Sequence, residues 1–263
     1  MNGILKKTLQ DLEFPLVLEQ VSAYCNTELG KEMVLQISPI KDTEELHNNL
    51  GKTSEYLSSF SNENRIPNHG FDSINQELQL LAIENTLLEI SGFRKIAHIC
   101  LAISTHKKFY KKFEEYYPLL NQTADTLVEN QEIPEQIGQV VDRFGEIKDR
   151  ASESLYRIRR EINQVRAKIN QSFNAALRRY HASDFLDDIR ESVVENRRVL
   201  AVKAMYRKKV KGTVMGNSKT GSIVYVEPEA ALRYSRELNN LEFEERDEVQ
   251  RILRELTNAI RPY

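Results

Sequence analysis

Few side chains in this sequence have both the type and the spacing that chemistry requires. The hexapeptide GNSKTG at 216–221 sets two glycines either side of four residues, the outline of a phosphate-cradling loop. Such a loop needs Lys directly after its second glycine and a helix behind it. Here Ser222 takes that position and the run Ile223, Val224, Tyr225, Val226 follows, which predicts a strand. No nucleotide site is expected. The histidines His47, His69, His98, His106 and His181 show no metal-ligand spacing; His98 and His106 lie eight apart with no carboxylate between them. Ser218 lacks a recognisable His and Asp partner set. Cys25 and Cys100 form neither a C-x-x-C pair nor a disulfide framework, and Asp187–Asp188 reads as a helix terminus. No catalytic residue, cofactor or metal is expected in these residues, and no enzyme activity of the chain by itself.

The remaining candidate chemistry is positive charge. The chain holds 37 Lys and Arg against 39 Asp and Glu, a formal net charge of −2, so it has no overall pull on a polyanion. The balance is uneven: residues 152–212 carry 15 basic and 7 acidic side chains. Between 197 and 211 stand Arg197, Arg198, Lys203, Arg207, Lys208, Lys209 and Lys211 with no acid among them, and Lys219 follows in the GNSKTG turn. A local basic surface on a near-neutral chain is the footprint of a phosphate-backbone contact. Only Tyr206 interrupts the run as an aromatic, which suits backbone contact more than base stacking. A solvated basic face balanced by acidic neighbours is the alternative.

The elements that must position these residues are mostly helical. Charged residues make up 29% of the chain, with only 10 Gly and 7 Pro to break helices. Residues 1–130 read as a packed bundle of short helices. Leu9, Leu12, Leu16, Val17, Val21 and Tyr24 step by three and four, with a helix starting near Phe14 and Pro15 in its first turn. Asp42 with Glu45, and Thr86 with Glu89, have the spacing of capping boxes opening two further helices. Pro118 is expected to break the second of these. The rings of Phe109, Tyr110, Phe113, Tyr116 and Tyr117 read as packing. A short helix and a turn near Gly145 fill 133–150.

From Ser152 the apolar series Leu155, Ile158, Ile162, Val165, Ile169, Phe173, Ala176 and Tyr180 alternates steps of three and four, a coiled-coil seam. Strands are predicted at 199–206, 210–216 and 221–228, then a helix over 229–261 whose Glu242, Glu244, Glu245 and Glu248 can face the arginines of the earlier helix. Two helices of similar length, each about 48 Å at ~1.5 Å per residue, pack most simply antiparallel with the β insert at their tip. The expected fold is mainly α: a helical core at 1–150, an ascending lever helix at 151–184, a β-rich clamp-like tip at 185–228 and a returning lever helix at 229–263. The densest positive charge would sit at the end of that arm.

These segments resemble a known family. LEFPLVLEQVSAYCNTELGKEMVLQISP (12–39) is similar to the opening helices of the MutS-two branch, the Smr-bearing second branch of bacterial MutS proteins. FGEIKDRASESLYRIRREI (144–162) resembles the start of that branch's lever. The most specific stretch is ENRRVLAVKAMYRKKVKGTVMGNSKTGSIVYVEPEAA (195–231), through Asn196, Arg197, Val202, Lys203, Tyr206, Arg207, Gly212, Val214, Ser218, Gly221, Glu227 and Pro228. Met215 and Gly216 depart from it, since many relatives carry His-Asp there. The closing RILRELTNAIRPY resembles the approach to the family's ATPase, and the chain stops at Tyr263 with that helix still running, so it is expected to be a fragment.

The resemblance implies a nucleic-acid-clamping core and lever of an ATPase that acts on branched or junction DNA in suppressing recombination, and on collided ribosomes. ATP and Mg would belong to the absent ATPase domain, as would homodimer formation, and nuclease activity to the absent Smr module. Mismatch recognition is not expected. A second reading is a coiled-coil interaction module whose basic tip docks on ribosome or protein. The opening residues lack a signal peptide and no run approaches the ~18 apolar residues of a membrane span, so a cytoplasmic protein without membrane contact is expected.

Overall fold

A computed structural model describes residues 6–263, which divide into two compact units: the chain up to Lys148 together with Leu253–Tyr263, and Asp149–Ile252. It is mainly helical with one four-stranded antiparallel sheet.

The first unit contains α1 (Lys6–Asp11), α2 (Phe14–Ser22), α3 (Glu28–Leu35), α4 (Thr43–Ser58), α5 (Asn75–Leu81), α6 (Ile90–Lys112), α7 (Pro118–Asp125) and α8 (Glu132–Val140). Pro15 lies in the first turn of α2, where its missing N–H leaves no bond unmade. Asp42 caps α4, its carboxylate accepting from Glu44 N at 2.8 Å and Glu45 N at 3.0 Å. Two expectations fail here. Thr86 does not cap α6; its hydroxyl donates to the carbonyls of Leu80 and Ile83 and so closes the end of α5. Pro118 breaks nothing: α6 has already ended at Lys112, and Pro118 opens α7. The Glu55 carboxylate of α4 accepts from Leu119 N and Leu120 N, both at 2.9 Å, and thereby caps α7 from another helix.

Leu88, Phe93, Ile96, Ile137, Val141 and Ile147 are buried, as are Leu253, Leu256 and Ile260 from the C-terminal segment of this unit. Thr257 Oγ1 accepts from Leu88 N at 3.2 Å, and the Arg261 guanidinium donates to the carbonyls of Leu81 and Ile83 at the end of α5. The stripe on α2 behaves differently from its pattern. Leu16, Val17 and Val21 remain exposed, and α2, α3 and α4 contain no buried residue. Helical spacing marks the apolar face of a segment; it does not supply what covers it.

The second unit is built on α9 (Glu153–Ala182) and the first part of α10 (Glu229–Ile260). Ser152 caps α9, accepting from Leu155 N at 3.0 Å. Ile158, Ile162 and Val165 of α9 pack with Leu241 of α10, flanked by Ile169, Tyr234 and Leu238. Polar ties follow the same seam: Ser152 to Glu248 at 2.6 Å, Arg159 to Glu245 at 2.7 Å and Arg166 to Glu242 at 3.0 Å. Partners on α10 fall in number as those on α9 rise, so the helices run antiparallel. Glu244, on another face, is exposed.

Between the helices the chain forms β1 (Leu186–Val194), β2 (Arg197–Lys203), a 3-10 turn (Ala204–Lys209), β3 (Gly212–Asn217) and β4 (Ile223–Pro228), with sheet order β1-β2-β4-β3. Val199, Leu200, Ala201 and Val202 are all buried, as a central strand covered on both faces requires. Leu200, Val202 and Val226 join Phe173, Ala176 and Tyr180 of α9 in one cluster. Glu195 and Asn196 link β1 to β2 with φ of 49° and 61°, the left-handed pair of a two-residue hairpin whose twist matches its strands. Register shifts kink both outer strands, between Leu186 and Glu191 in β1 and between Val214 and Gly216 in β3. The predicted strand at 199–206 overran: the chain leaves β2 after Lys203 because Tyr206 turns in to stack on Phe185, ring centroids 4.9 Å apart.

Candidate nucleic-acid interface

The eight predicted cations fall into two groups. Arg197 opens β2, and its guanidinium meets the buried Glu227 carboxylate of β4 at 3.0 Å. The second Glu227 oxygen accepts from Ser235 Oγ of α10 at 2.6 Å. One arginine thus holds β2, β4 and α10 together through a single acid. Arg198, next along β2, engages other partners. It pairs with Glu191 of β1 at 2.6 Å, donates to Asn170 and Asn174 of α9 at 3.1 and 3.2 Å, and lies 4.2 Å from the Phe173 ring centroid. Arg207 donates to the carbonyls of Val210 and Gly212, both at 3.0 Å, and folds the end of the 3-10 turn onto β3. Lys203 pairs with Asp184 at 2.9 Å, and that hydrogen bond raises its pKa above the usual lysine value.

Lys208, Lys209, Lys211 and Lys219 differ. All four are exposed, and no acidic partner lies within ion-pair distance of them among the described residues. Lys208 and Lys209 end the 3-10 turn, and Lys211 precedes β3 with its N–H donated to Tyr180 Oη at 3.2 Å. The Lys209 ammonium stands 5.5 and 5.4 Å from the Phe185 and Tyr206 ring centroids, which steers it without neutralising it. Lys219 occupies the β3–β4 turn, whose Ser218 Oγ accepts from Ile223 N at 3.1 Å. The six residues of β3, at about 3.3 Å each, separate Lys211 from Lys219 by roughly 20 Å. The basic surface therefore has three lysines at one end of β3 and one at the other.

Other cations lie outside the charge run. Arg157, Arg160, Lys168 and Arg178 of α9 are exposed and share one helical face by the 3.6-residue repeat, a signal their spacing already carried. A cleft of about 450 Å³ beneath the β1–β2 hairpin is walled by Arg166, Arg197, Arg198, Asn196 and Asn239, with Glu195, Glu227 and Glu242 balancing its charge. Sequence offered no sign of this cleft, which needs the hairpin folded over α9 and α10. Among the described residues no group of three or more His, Cys, Asp or Glu is placed to hold a metal ion. No helix among them is long and apolar enough to cross a membrane.

No family model matches the chain. A protein of Bacillus subtilis described as a putative endonuclease MutS2 is 30% identical over 261 residues, 98% of this chain and 33% of that protein. Proteins named endonuclease MutS2 from Bacillus velezensis and Pelotomaculum thermopropionicum are 28% and 29% identical over 255 residues, 96% and 97% of this chain. The chain is a homologue of the MutS2 proteins. It spans about a third of the length of the curated MutS2 relatives it matches. Arg197 and Glu227, paired inside the second unit, lie within the stretch over which this similarity runs.

Proposed function

We propose that this chain is a nucleic-acid-holding region of a MutS2-type protein, in which α9 and α10 form a lever and the sheet at 186–228 a clamp-like tip. Lys208, Lys209, Lys211 and Lys219 hold phosphates in this reading, while Arg197, Arg198, Lys203 and Arg207 keep the tip in shape. The observation that carries it is the separation of the basic residues into internally paired cations and four exposed lysines without acidic partners. An exposed cation without a partner is free to meet a phosphate, whereas one already engaged by a neighbouring acid or carbonyl is less so. Within a full-length protein of the MutS2 type, branched DNA is the preferred ligand, and ATP-driven closure of a dimer supplies the clamp; both belong to this proposal.

The test uses duplex and junction DNA with the Lys208→Ala, Lys209→Ala, Lys211→Ala triple variant. The expected result is weaker binding with a log K against log salt slope flattened by up to ~2.7, about 0.9 for each phosphate that a lysine no longer neutralises. Circular dichroism and melting should stay unchanged, since exposed substitutions shift stability by less than about 0.5 kcal/mol. An unchanged slope would transfer the tip to the second reading. That reading, docking on a ribosome or protein, is favoured by Met205, 78% exposed on the same 3-10 turn as the lysines.

A further inference from the structure

The first unit encloses a cavity of about 470 Å³ between α4, α6, α7 and the loop at 66–71, within the range that small-molecule sites occupy. Ile66, Phe71, Ile99, Ala102, Ile103 and Leu120 supply apolar walls, and no Lys, Arg, Asp or Glu lines it. The nearby Glu55 carboxylate is engaged with the first N–H groups of α7. Charge is thus absent from the cavity, and its polar groups are two histidines, two tyrosines and Thr123, whose hydroxyl donates to the Leu119 carbonyl at 3.1 Å.

Their hydrogen bonds settle which groups are free. His69 Nδ1 lies 3.3 Å from the Pro67 carbonyl, which can only accept, so Nδ1 carries the proton. Its Nε2 then accepts from Tyr56 Oη at 3.3 Å and Asn26 Nδ2 at 3.2 Å, and both ring nitrogens are used. His106 Nε2 lies 3.3 Å from the Asn68 carbonyl and donates to it, leaving the Nδ1 lone pair without a partner among the described residues. Burial, with His69 nearby, lowers the pKa of His106 below the usual value, which keeps the ring neutral and Nδ1 an acceptor near pH 7. Tyr110, one helical turn on, stacks against His106 with ring centroids 6.0 Å apart. Its hydroxyl has no hydrogen-bond partner among the described residues, and burial pushes its pKa up to about 12, so it remains a donor.

We propose that this cavity binds a small, neutral, planar heteroaromatic molecule whose edge presents one N–H to His106 Nδ1 and one acceptor to Tyr110 Oη. The apolar walls take the rings, and the two unfilled polar atoms on adjacent turns of α6 select the edge. The two histidines do not make a metal site, since no third ligand joins them among the described residues.

The experiment titrates the intact chain with benzimidazole, which carries both edge groups, and with indene, a bicycle of the same size that carries neither. Ligand-observed NMR and calorimetry should give saturable one-site binding of benzimidazole at pH 7.5, tighter than indene. Tyr110→Phe keeps the ring and removes the donor; it should weaken benzimidazole about three- to tenfold and leave indene unchanged. Ala102→Phe, filling the cavity, should abolish both. The proposal is overturned by absence of saturable benzimidazole binding at millimolar concentration, or by equal affinity for the two probes. The latter would mark a socket for an apolar side chain. Equal weakening of both probes by Tyr110→Phe would also overturn it. If Ala102→Phe does not fold, Tyr110→Phe decides alone.

Discussion

Arg197 and Lys211 belong to one acid-free run in the sequence, yet Arg197 meets a buried glutamate thirty residues later while Lys211 meets solvent. Charge runs report composition along the chain, and pairing is set by strand neighbours that the run does not name. Glu227 and Glu191 became partners only through the β2–β4 and β1–β2 ladders. The Ser152 cap, by contrast, was legible, because a cap is a local device of three residues. Its hydroxyl also donates to Glu248, whose carboxyl is held down to about 2 by the Arg251 guanidinium and by Ser152, against the opposing effect of burial. A depressed carboxyl stabilises the fold above its unfolded pKa, near 4.3, and loses that contribution as pH falls through its folded value. Removing the carboxylate in Glu248→Gln should therefore lower the melting temperature at pH 7 and narrow the gap from wild type between about pH 4.5 and pH 2. A gap that does not change with pH over that window would show that the ionised carboxylate contributes nothing to stability.

At the scale of elements, the long helices were legible and the outer strand was not. The seam from Leu155 to Tyr180 repeats over many turns, so one misread residue cannot hide it. LDDIRESVV, the sequence of β1, has four charged residues in nine and lies at the sheet edge, where only one neighbour demands an apolar pattern. Arg190 adds a positive φ of 60° that no propensity predicts. The start of β3 is constrained more tightly. A Cβ at Gly212 would stand 2.1 Å from the Glu227 carbonyl oxygen, a backbone atom that cannot move without disturbing the β3–β4 ladder. Gly212→Ala should cost about 2 kcal/mol or more in denaturant unfolding, with loss of strand signal before helix signal. A cost below ~0.5 kcal/mol would mean that β3 shifts freely at its first residue.

At the scale of the whole molecule, the unit boundary at residue 252 has no mark in the sequence: α10 runs through it without Gly or Pro. The aromatic cavity was equally hidden, since His69 and His106 come from separate segments and spacing along one helix says nothing of a loop laid over it. The second unit has its own apolar clusters, one joining α9 to the sheet and one joining α9 to α10. A fragment of 149–252 should accordingly fold by itself, with helical and strand dichroism and a cooperative melt. On DNA it should reproduce the salt slope of the intact chain, because all four exposed lysines lie within it. A fragment that is unfolded, or that binds with a shallower slope, would tie the basic surface to residues outside 149–252.

The kinked outer strands have one more consequence. A sheet of order β1-β2-β4-β3 leaves backbone donors and acceptors of β1 and β3 without a neighbouring strand, a template on which a second chain can polymerise. The register shift between Val214 and Gly216 bends one template, and Lys211 and Lys219 bracket it with like charges that repel an incoming copy. Like charges flanking an edge strand disfavour strand-to-strand pairing whether or not a phosphate is near, so losing them by acetylation would loosen any hold on nucleic acid and lower solubility at once.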